Sequence, residues 1–146
     1  MIKFSKRDGK YGCFSNFYCC FLFYNKVPYQ NSESAFQAQK CPERAWEFMN
    51  LSPAQAKRLG RKVKLRSDWE EVKYDVMVDI LRCKFTQNEH LEKVLLSTDD
   101  EEIVENTTAW HDNTWGNCEC YRCRGIEGKN LLGKALMQVR EELKQV

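Results

Sequence analysis

Two segments of this 146-residue chain repeat their apolar residues at helical spacing. Trp69, Val72, Val76, Ile80 and Cys83 fall on one face, and Ser67-Asp68-Trp69-Glu70 has the form of a capping box, predicting a helix from Ser67 to about Thr86. Leu132, Ala135, Leu136, Val139 and Leu143 form the apolar stripe of a C-terminal helix that Asn130 is placed to cap. A shorter helical run opens at Ser32 as its capping residue and ends before Pro42, and Arg44 to Asn50 reads as a further helical piece. Ser52-Pro53 is an N-cap followed by proline at the first helical position, with Gly60 closing that helix. Another short helix is expected near Leu91 to Leu96 and a strand at Glu102 to Asn106. Aromatic and β-branched residues alternate over about residues 17–30 around Asn25-Lys26, which predicts a hairpin. No repeat, linker or charge block divides the chain. The expectation is one domain over residues 1–146, mostly α within an α+β class, multihelical with a small N-terminal β-hairpin or sheet.

The composition, 42% hydrophobic and 30% charged with 7 Gly and 3 Pro, excludes collagen-like and low-complexity chains. A net charge of +2 is no polyanion-binding footprint, so any nucleic-acid contact must come from a local cleft. Eight cysteines change the picture more. The first ten residues hold no apolar core of signal-peptide length, and the longest apolar run, Cys19 to Tyr24, is too short to cross a bilayer. The cysteine spacing lacks the regularity of a disulfide scaffold, so the expected setting is a reducing cytoplasm with free thiols and no membrane contact. Cys19, Cys20 and Cys83 sit in apolar surroundings and read as core. Cys118, Cys120 and Cys123, with His111 seven residues earlier, supply the donors of a tetrahedral zinc site. Without a second Cys-x-x-Cys pair, that spacing reads as a solvent-facing loop of reduced thiols, and the expectation is no metal and no cofactor.

Candidate chemistry is sparse. His90 and His111 lie in no recognisable catalytic motif, and both common nucleotide-binding glycine fingerprints are missing. Glu33, Gln37 and Lys40, spaced i, i+4 and i+7, project from one helix face, either as a carboxylate and amine acting on one sugar or carbonyl, or as a solvated polar stripe. Trp115 stands in the polar loop His111 to Gly116, either stacking on a heterocyclic base beside Asp112 or folded back as a plug. Gly60-Arg61 with Lys64 and Arg66, and the turn Gly128-Lys129-Asn130 at a helix start, are weaker cues for an anion.

Taken in order, several segments resemble the YbiA-like family, also called the NADAR superfamily. They are Gly12-Cys13-Phe14-Ser15-Asn16-Phe17, Ser32-Glu33 with Phe36 through Lys40, Gly60-Arg61, Leu65-Arg66 with Asp68-Trp69, and Met77 followed by Lys84-Phe85. Leu96 to Thr98, Glu105, Asp112 with Trp115-Gly116, and Asn130 through Gly133 on to Leu136-Met137 and Arg140 complete the series, which covers nearly the whole chain. The resemblance implies hydrolysis of an N-glycosidic bond on ribose. Some members cleave the base from ribosylated, phosphorylated pyrimidine intermediates of riboflavin biosynthesis, and others remove ADP-ribose from guanine in nucleic acid. It implies Glu33, Lys40 and Asp112 as catalytic residues, Lys40 matching a lysine thought to act covalently in some members. Ser15, Asn16, Arg61, Arg66, Trp69, Trp115 and Asn130 are implied as substrate-binding residues.

The chain departs from the family pattern between Asn117 and Gly128, where members commonly carry a Gly-rich acidic loop and this sequence has three cysteines and two arginines. The leading expectation is therefore an N-glycosidase for a small phosphorylated ribosyl substrate. An ADP-ribosyl hydrolase acting on DNA or RNA is the nearer alternative, and a non-catalytic ADP-ribose or nucleotide-binding module the more distant one.

Overall fold

The computed structural model describes residues 1–146. Its strands are β1 (Ile2–Phe4), β2 (Cys19–Tyr24), β3 (Val27–Asn31) and β4 (Ile103–Glu105). Its α-helices are α1 (Ser32–Ala38), α2 (Pro53–Gly60), α3 (Trp69–Thr86), α4 (Glu89–Leu96) and α5 (Leu131–Lys144). The two helices with the clearest apolar repeats, α3 and α5, pack against each other. Val76 and Ile80 of α3 and Leu132, Leu136 and Val139 of α5 all belong to one hydrophobic cluster of 28 buried residues. At the rim of this contact Arg82 and Glu142 form an ion pair at 2.8 Å, and Tyr74 Oη donates to Gln138 Oε1 at 2.9 Å. The chain is thus α+β and mostly helical, and none of its helices is long and apolar enough to cross a membrane.

The β structure comes in two small pieces. β2 and β3 form an antiparallel hairpin whose connecting residues, Asn25 and Lys26, both have positive φ, 50° and 68°. That is the backbone of a type I′ turn, whose twist matches that of paired strands. β1 pairs in parallel with β4, placing Phe4 beside Glu105, so the N-terminus is tied to the strand that leads into the loop before α5. The Ile2–Phe4 strand has only three residues and shows too little alternation for the sequence pattern to display it.

Several local expectations change in detail. Helix α1 is capped by Asn31, whose Oδ1 accepts from the Ser34 N–H at 2.7 Å, while Ser32 is already helical and bonds Asn16 instead. The Ser67 capping box does not form: α3 begins at Trp69, and the Asp68 carboxylate is held by Arg66 at 2.6 Å. Charge-assisted pairing with a neighbouring guanidinium competes with capping for the same oxygens. The helical piece expected over Arg44 to Asn50 is a 3-10 helix over Pro42–Phe48, kinked at Arg44. Ser52 and Gln55 do complete a capping box on α2, with Pro53 at the first position. Among the cysteines, Cys13 and Cys41 are buried in the hydrophobic cluster and Cys118 is buried outside it, whereas Cys19 is exposed and Cys20 and Cys83 are half-buried. An apolar run in a two-stranded hairpin has one face with nothing to cover it, and Cys19, Phe21 and Phe23 occupy that face.

One buried cation closes the C-terminal side. Arg140 on α5 is 3% exposed and donates to Thr98 Oγ1 at 2.9 Å and to the Glu101 carbonyl at 2.8 Å. Arg140→Ala strands both acceptors and removes a packed stem, so a loss of about 2–4 kcal/mol is expected. Urea denaturation measures it as a lower midpoint with unchanged slope.

Candidate active site

Helix α1 is buried on every side, charged and polar residues included: Ser32, Glu33, Ser34 and Gln37 are all below a tenth exposed. The Glu33–Gln37–Lys40 row is therefore not a solvated stripe. Helix α2 approaches so closely that a Cβ on Gly60 would lie 2.0 Å from Gln37 Oε1, so any side chain there would displace the Gln37 amide. The row faces a cavity of about 830 Å³, a size suited to a nucleotide-like ligand. Glu33, Gln37 and Lys40 line one side of it. Glu105, at the end of β4, and Asp112 and Trp115 from the following loop line it too. Trp69 and Met77 of α3 and Leu132 of α5 add apolar surface.

The walls are held by specific bonds. The Glu33 N–H donates to the Asn16 carbonyl at 3.1 Å, and Ser32 Oγ donates to Asn16 Oδ1 at 2.8 Å. Behind them Lys84, wholly buried, donates to the Ser15 carbonyl at 3.1 Å and to Ser32 Oγ at 3.4 Å. Burial pulls the Lys84 ammonium below the usual lysine range. This core lysine ties the Ser15–Asn16 turn to the start of α1, so both line the cavity in a set position. Asp112 Oδ1 accepts from the backbone N–H groups of Thr114 at 2.7 Å and Trp115 at 3.1 Å, an Asx turn that orients the carboxylate and the indole together. The Thr107 hydroxyl donates to the Asp112 carbonyl and anchors the same loop.

Phe36 stands between the two tryptophans. Its ring centroid is 5.0 Å from that of Trp69 and 5.2 Å from that of Trp115, the latter nearly edge-on at 80°. The three rings make an aromatic wall, with Lys40 Nζ 6.0 Å from the Trp69 ring centroid. Trp69 is thus both core and cavity wall, 6% exposed yet facing the opening.

The electrostatics of the cavity are unusual. Burial pushes the Glu33 carboxyl up, against the pull of Lys57, the Gln37 side chain and Lys40, while Asp112 adds to the rise. Burial likewise lowers the Lys40 ammonium, helped by Arg61 and Lys57 and opposed by Glu33. Glu105 is pushed up to about 8, first by burial and then by the charges of Asp112 and Glu33. A carboxyl that holds its proton near neutrality, a second carboxyl raised by burial and a lysine lowered by it are the equipment of acid–base and nucleophilic chemistry.

Glu105 also makes a stability prediction. Its folded pKa lies above its unfolded value, so the folded state binds the extra proton between about pH 4.5 and 8 and stability falls as pH rises through that window. Glu105→Gln, which cannot ionise, is expected to match the parent chain at pH 4 and to exceed it by roughly 2–4 kcal/mol above pH 8. Denaturation curves for both chains across that range measure the divergence.

Of the sequence-derived site residues, Ser15, Asn16, Glu33, Lys40, Trp69, Asp112 and Trp115 converge on the cavity, and Arg61, Arg66 and Asn130 do not line it. Arg66 is engaged by Asp68, and Arg61 is exposed at the end of α2, acting on Lys40 only through its charge. Asn130 is buried in a left-handed conformation, with φ 52°. Rather than capping α5, its side chain accepts from the Glu105 N–H at 3.1 Å and donates to the Ile103 carbonyl at 2.9 Å. It thereby locks β4, and with it Glu105, against the start of α5. Sequence reasoning missed Arg7, Lys57 and Lys73 as cavity residues, and it quoted Glu105 without assigning it a place in the site. The cations lie on three separate segments with no shared spacing. Glu105 had one signal, an acidic residue inside an otherwise apolar strand.

The chain is similar to known proteins along nearly its whole length. The chain is 37% identical to N-glycosidase YbiA of Escherichia coli over 148 aligned residues, covering 98% of this chain and 88% of that protein. It is 35% identical to an N-glycosidase of Nostoc punctiforme, covering 99% of this chain and 94% of the relative. A riboflavin biosynthesis protein of Vibrio vulnificus is also 35% identical, although the chain spans only 39% of its length. The NMR structure of the Escherichia coli protein YbiA superimposes with a TM-score of 0.84 over 99% of this chain and 84% of that one. Residues 3–144 match the model of the NADAR domain, and the chain belongs to the NADAR family.

Proposed function

We propose that this chain is an N-glycosidase that hydrolyses the ribosyl C1–N bond of a phosphorylated ribosylamino-pyrimidine of the riboflavin pathway. The observation that carries the proposal is the convergence of Glu33, Asp112 and Lys40 on one cavity walled by Trp69 and Trp115. Family membership and relatives named N-glycosidase and riboflavin biosynthesis protein support the same reaction class.

In this mechanism the pyrimidine lies along the aromatic wall, and the ribose presents C1 to the carboxylates. Cleavage builds positive charge at C1, which an oriented carboxylate stabilises. Asp112, fixed by two backbone N–H donors, takes that role and orients water. Glu33, which burial disposes to keep its proton, delivers it to the departing nitrogen. The ring opens as the C1–O4 bond breaks, the amine nitrogen's lone pair forming an iminium with C1 and the ring oxygen taking a proton through water, and the neutral Lys40 amine adds to C1. The pyrimidine amine leaves with the C1–N electron pair and the Glu33 proton, and a lysine imine remains. Water then adds to C1, releasing the sugar aldehyde and restoring the amine. The net reaction consumes one water and needs no cofactor. Lys57, Lys73 and Arg7 line the cavity and supply positive charge for the phosphate.

Incubation of the purified chain with a ribosylamino-pyrimidine phosphate is expected to release free pyrimidine and sugar phosphate. A parallel incubation with an ADP-ribosylated guanine oligonucleotide discriminates the related hydrolase reading. Turnover of the oligonucleotide alone moves the substrate to ADP-ribose, and turnover of neither overturns the enzymatic reading in favour of a nucleotide-binding module. The proposal places the reaction in a reducing cytoplasm, in keeping with eight free cysteines.

A further inference from the structure

The loop that separates this chain from the usual family pattern carries a second cluster. Its spacing alone reads as reduced thiols in solvent, but the fold brings His111, from before the loop, together with the three cysteines of the loop. One nitrogen of His111 and the sulfurs of Cys118, Cys120 and Cys123 all lie within 4.8 Å of one another. His111 Nδ1 is 3.3 Å from Cys118 Sγ. Tetrahedral zinc, with Zn–S of about 2.3 Å and Zn–N of about 2.0 Å, sets its sulfurs about 3.8 Å apart and a nitrogen about 3.5 Å from each sulfur. Closing the cluster onto a metal takes side-chain shifts of about 1 Å or less.

The backbone around the cluster is built to present these donors. Cys120 and Cys123 flank a Cys-x-x-Cys turn, closed by the Cys123 N–H donating to the Cys120 carbonyl at 3.1 Å. Cys118 is 2% exposed, and its N–H donates to Asn113 Oδ1 at 2.9 Å. His111 takes a positive φ of 59°, a region that histidine enters more readily than most side chains, and its N–H is held by the Thr107 carbonyl at 2.7 Å. That turn directs the imidazole toward Cys118. Cys120 and Cys123 are half-buried and His111 exposed, which leaves a route for an ion to enter.

We infer that His111, Cys118, Cys120 and Cys123 form a structural zinc site. Four protein donors complete the coordination shell, so the ion has no open position for substrate and takes no part in bond cleavage. On binding, the three thiols release their protons and the site carries a net charge of −1, beside the cationic side chains of Arg122 and Arg124 in the same loop. The ion's place in the fold is mechanical. His111 directly precedes Asp112, and Cys118 lies three residues after Trp115, so one zinc clamps both ends of the segment that presents this carboxylate and indole to the cavity. The site stands whichever ribosyl substrate the cavity accepts.

The test uses the full chain purified under reducing conditions without chelator. Metal analysis is expected to find close to one zinc per chain. After chelator and reductant remove it, titration with Co²⁺ should develop intense tetrahedral d–d bands and a thiolate charge-transfer band, saturating at one equivalent and displaced by Zn²⁺. Cys118→Ser and Cys123→Ser should each diminish the charge-transfer band and weaken metal binding roughly tenfold or more, while Cys19→Ser, outside the cluster, should leave both unchanged. Zinc well below one per chain together with an octahedral cobalt spectrum overturns the site. So do cysteine variants that bind cobalt as the parent does. If a cluster variant is insoluble, the parent chain's cobalt spectrum decides alone.

Discussion

Glu33→Gln is expected to lower kcat/KM for ribosylamino-pyrimidine hydrolysis by about 100- to 10,000-fold with little change in KM. The substitution keeps the size and hydrogen-bonding reach of the side chain but removes the transferable proton. Glu33 is 8% exposed on a helix with every residue buried, so water has little access with which to replace the lost acid. The proton inventory also fixes the pH dependence. Burial raises the Glu33 pKa, so the protonated acid persists above the ordinary carboxyl range and the rate falls as pH rises through that raised value. The variant should lose this alkaline limb. Steady-state kinetics over a pH series, with thermal unfolding to confirm an intact fold, measures both effects. A variant within a few-fold of the parent removes Glu33 from the chemistry.

Lys40→Arg is expected to reduce turnover roughly 1,000-fold or more and to abolish a borohydride-trapped adduct. Arginine keeps the positive charge near the Trp69 ring but cannot supply a neutral amine. In the parent chain burial, Arg61 and Lys57 lower the Lys40 pKa, so the amine deprotonates below the usual lysine range and the rate rises with pH through that lowered value. Borohydride added during turnover should reduce the lysine imine to a stable secondary amine, adding one sugar phosphate to the peptide containing Lys40. Trapping failure in an actively turning-over parent chain excludes the covalent route while leaving the Glu33–Asp112 chemistry standing. These two substitutions therefore separate acid catalysis on α1 from nucleophilic catalysis at the turn that follows it.

Much of this site was present as local pattern. Ser52-Pro53 formed its cap and proline start because both interactions are made within one turn. The Asn25-Lys26 hairpin formed where alternation and turn chemistry agree. Spacing put Glu33, Gln37 and Lys40 on one face but left two opposite fates open, a solvated stripe or a cavity wall. Burial of α1 beneath α2, made possible by the missing side chain of Gly60, resolved that choice. Capping near Ser67 and at Asn130 went the other way: α3 starts with Asp68 at its cap position and that carboxylate is held by Arg66, and Asn130 found the backbone of β4. Polar side chains near a helix end have several partners within reach, and only the packed structure selects among them.

The sequence by itself determined the helical segments, the hairpin and the family, since these rest on periodicity, turn residues and ordered motifs. It also placed Glu33, Lys40, Asp112 and the tryptophans among the candidates. Tertiary structure alone added Glu105, Lys57 and Arg7 to the same cavity and gathered His111 with three cysteines. It also turned Trp69 into core and wall at once. The physical reason is that pKa shifts and donor clusters depend on distance and desolvation between segments far apart in the chain, and neither quantity is written in local spacing.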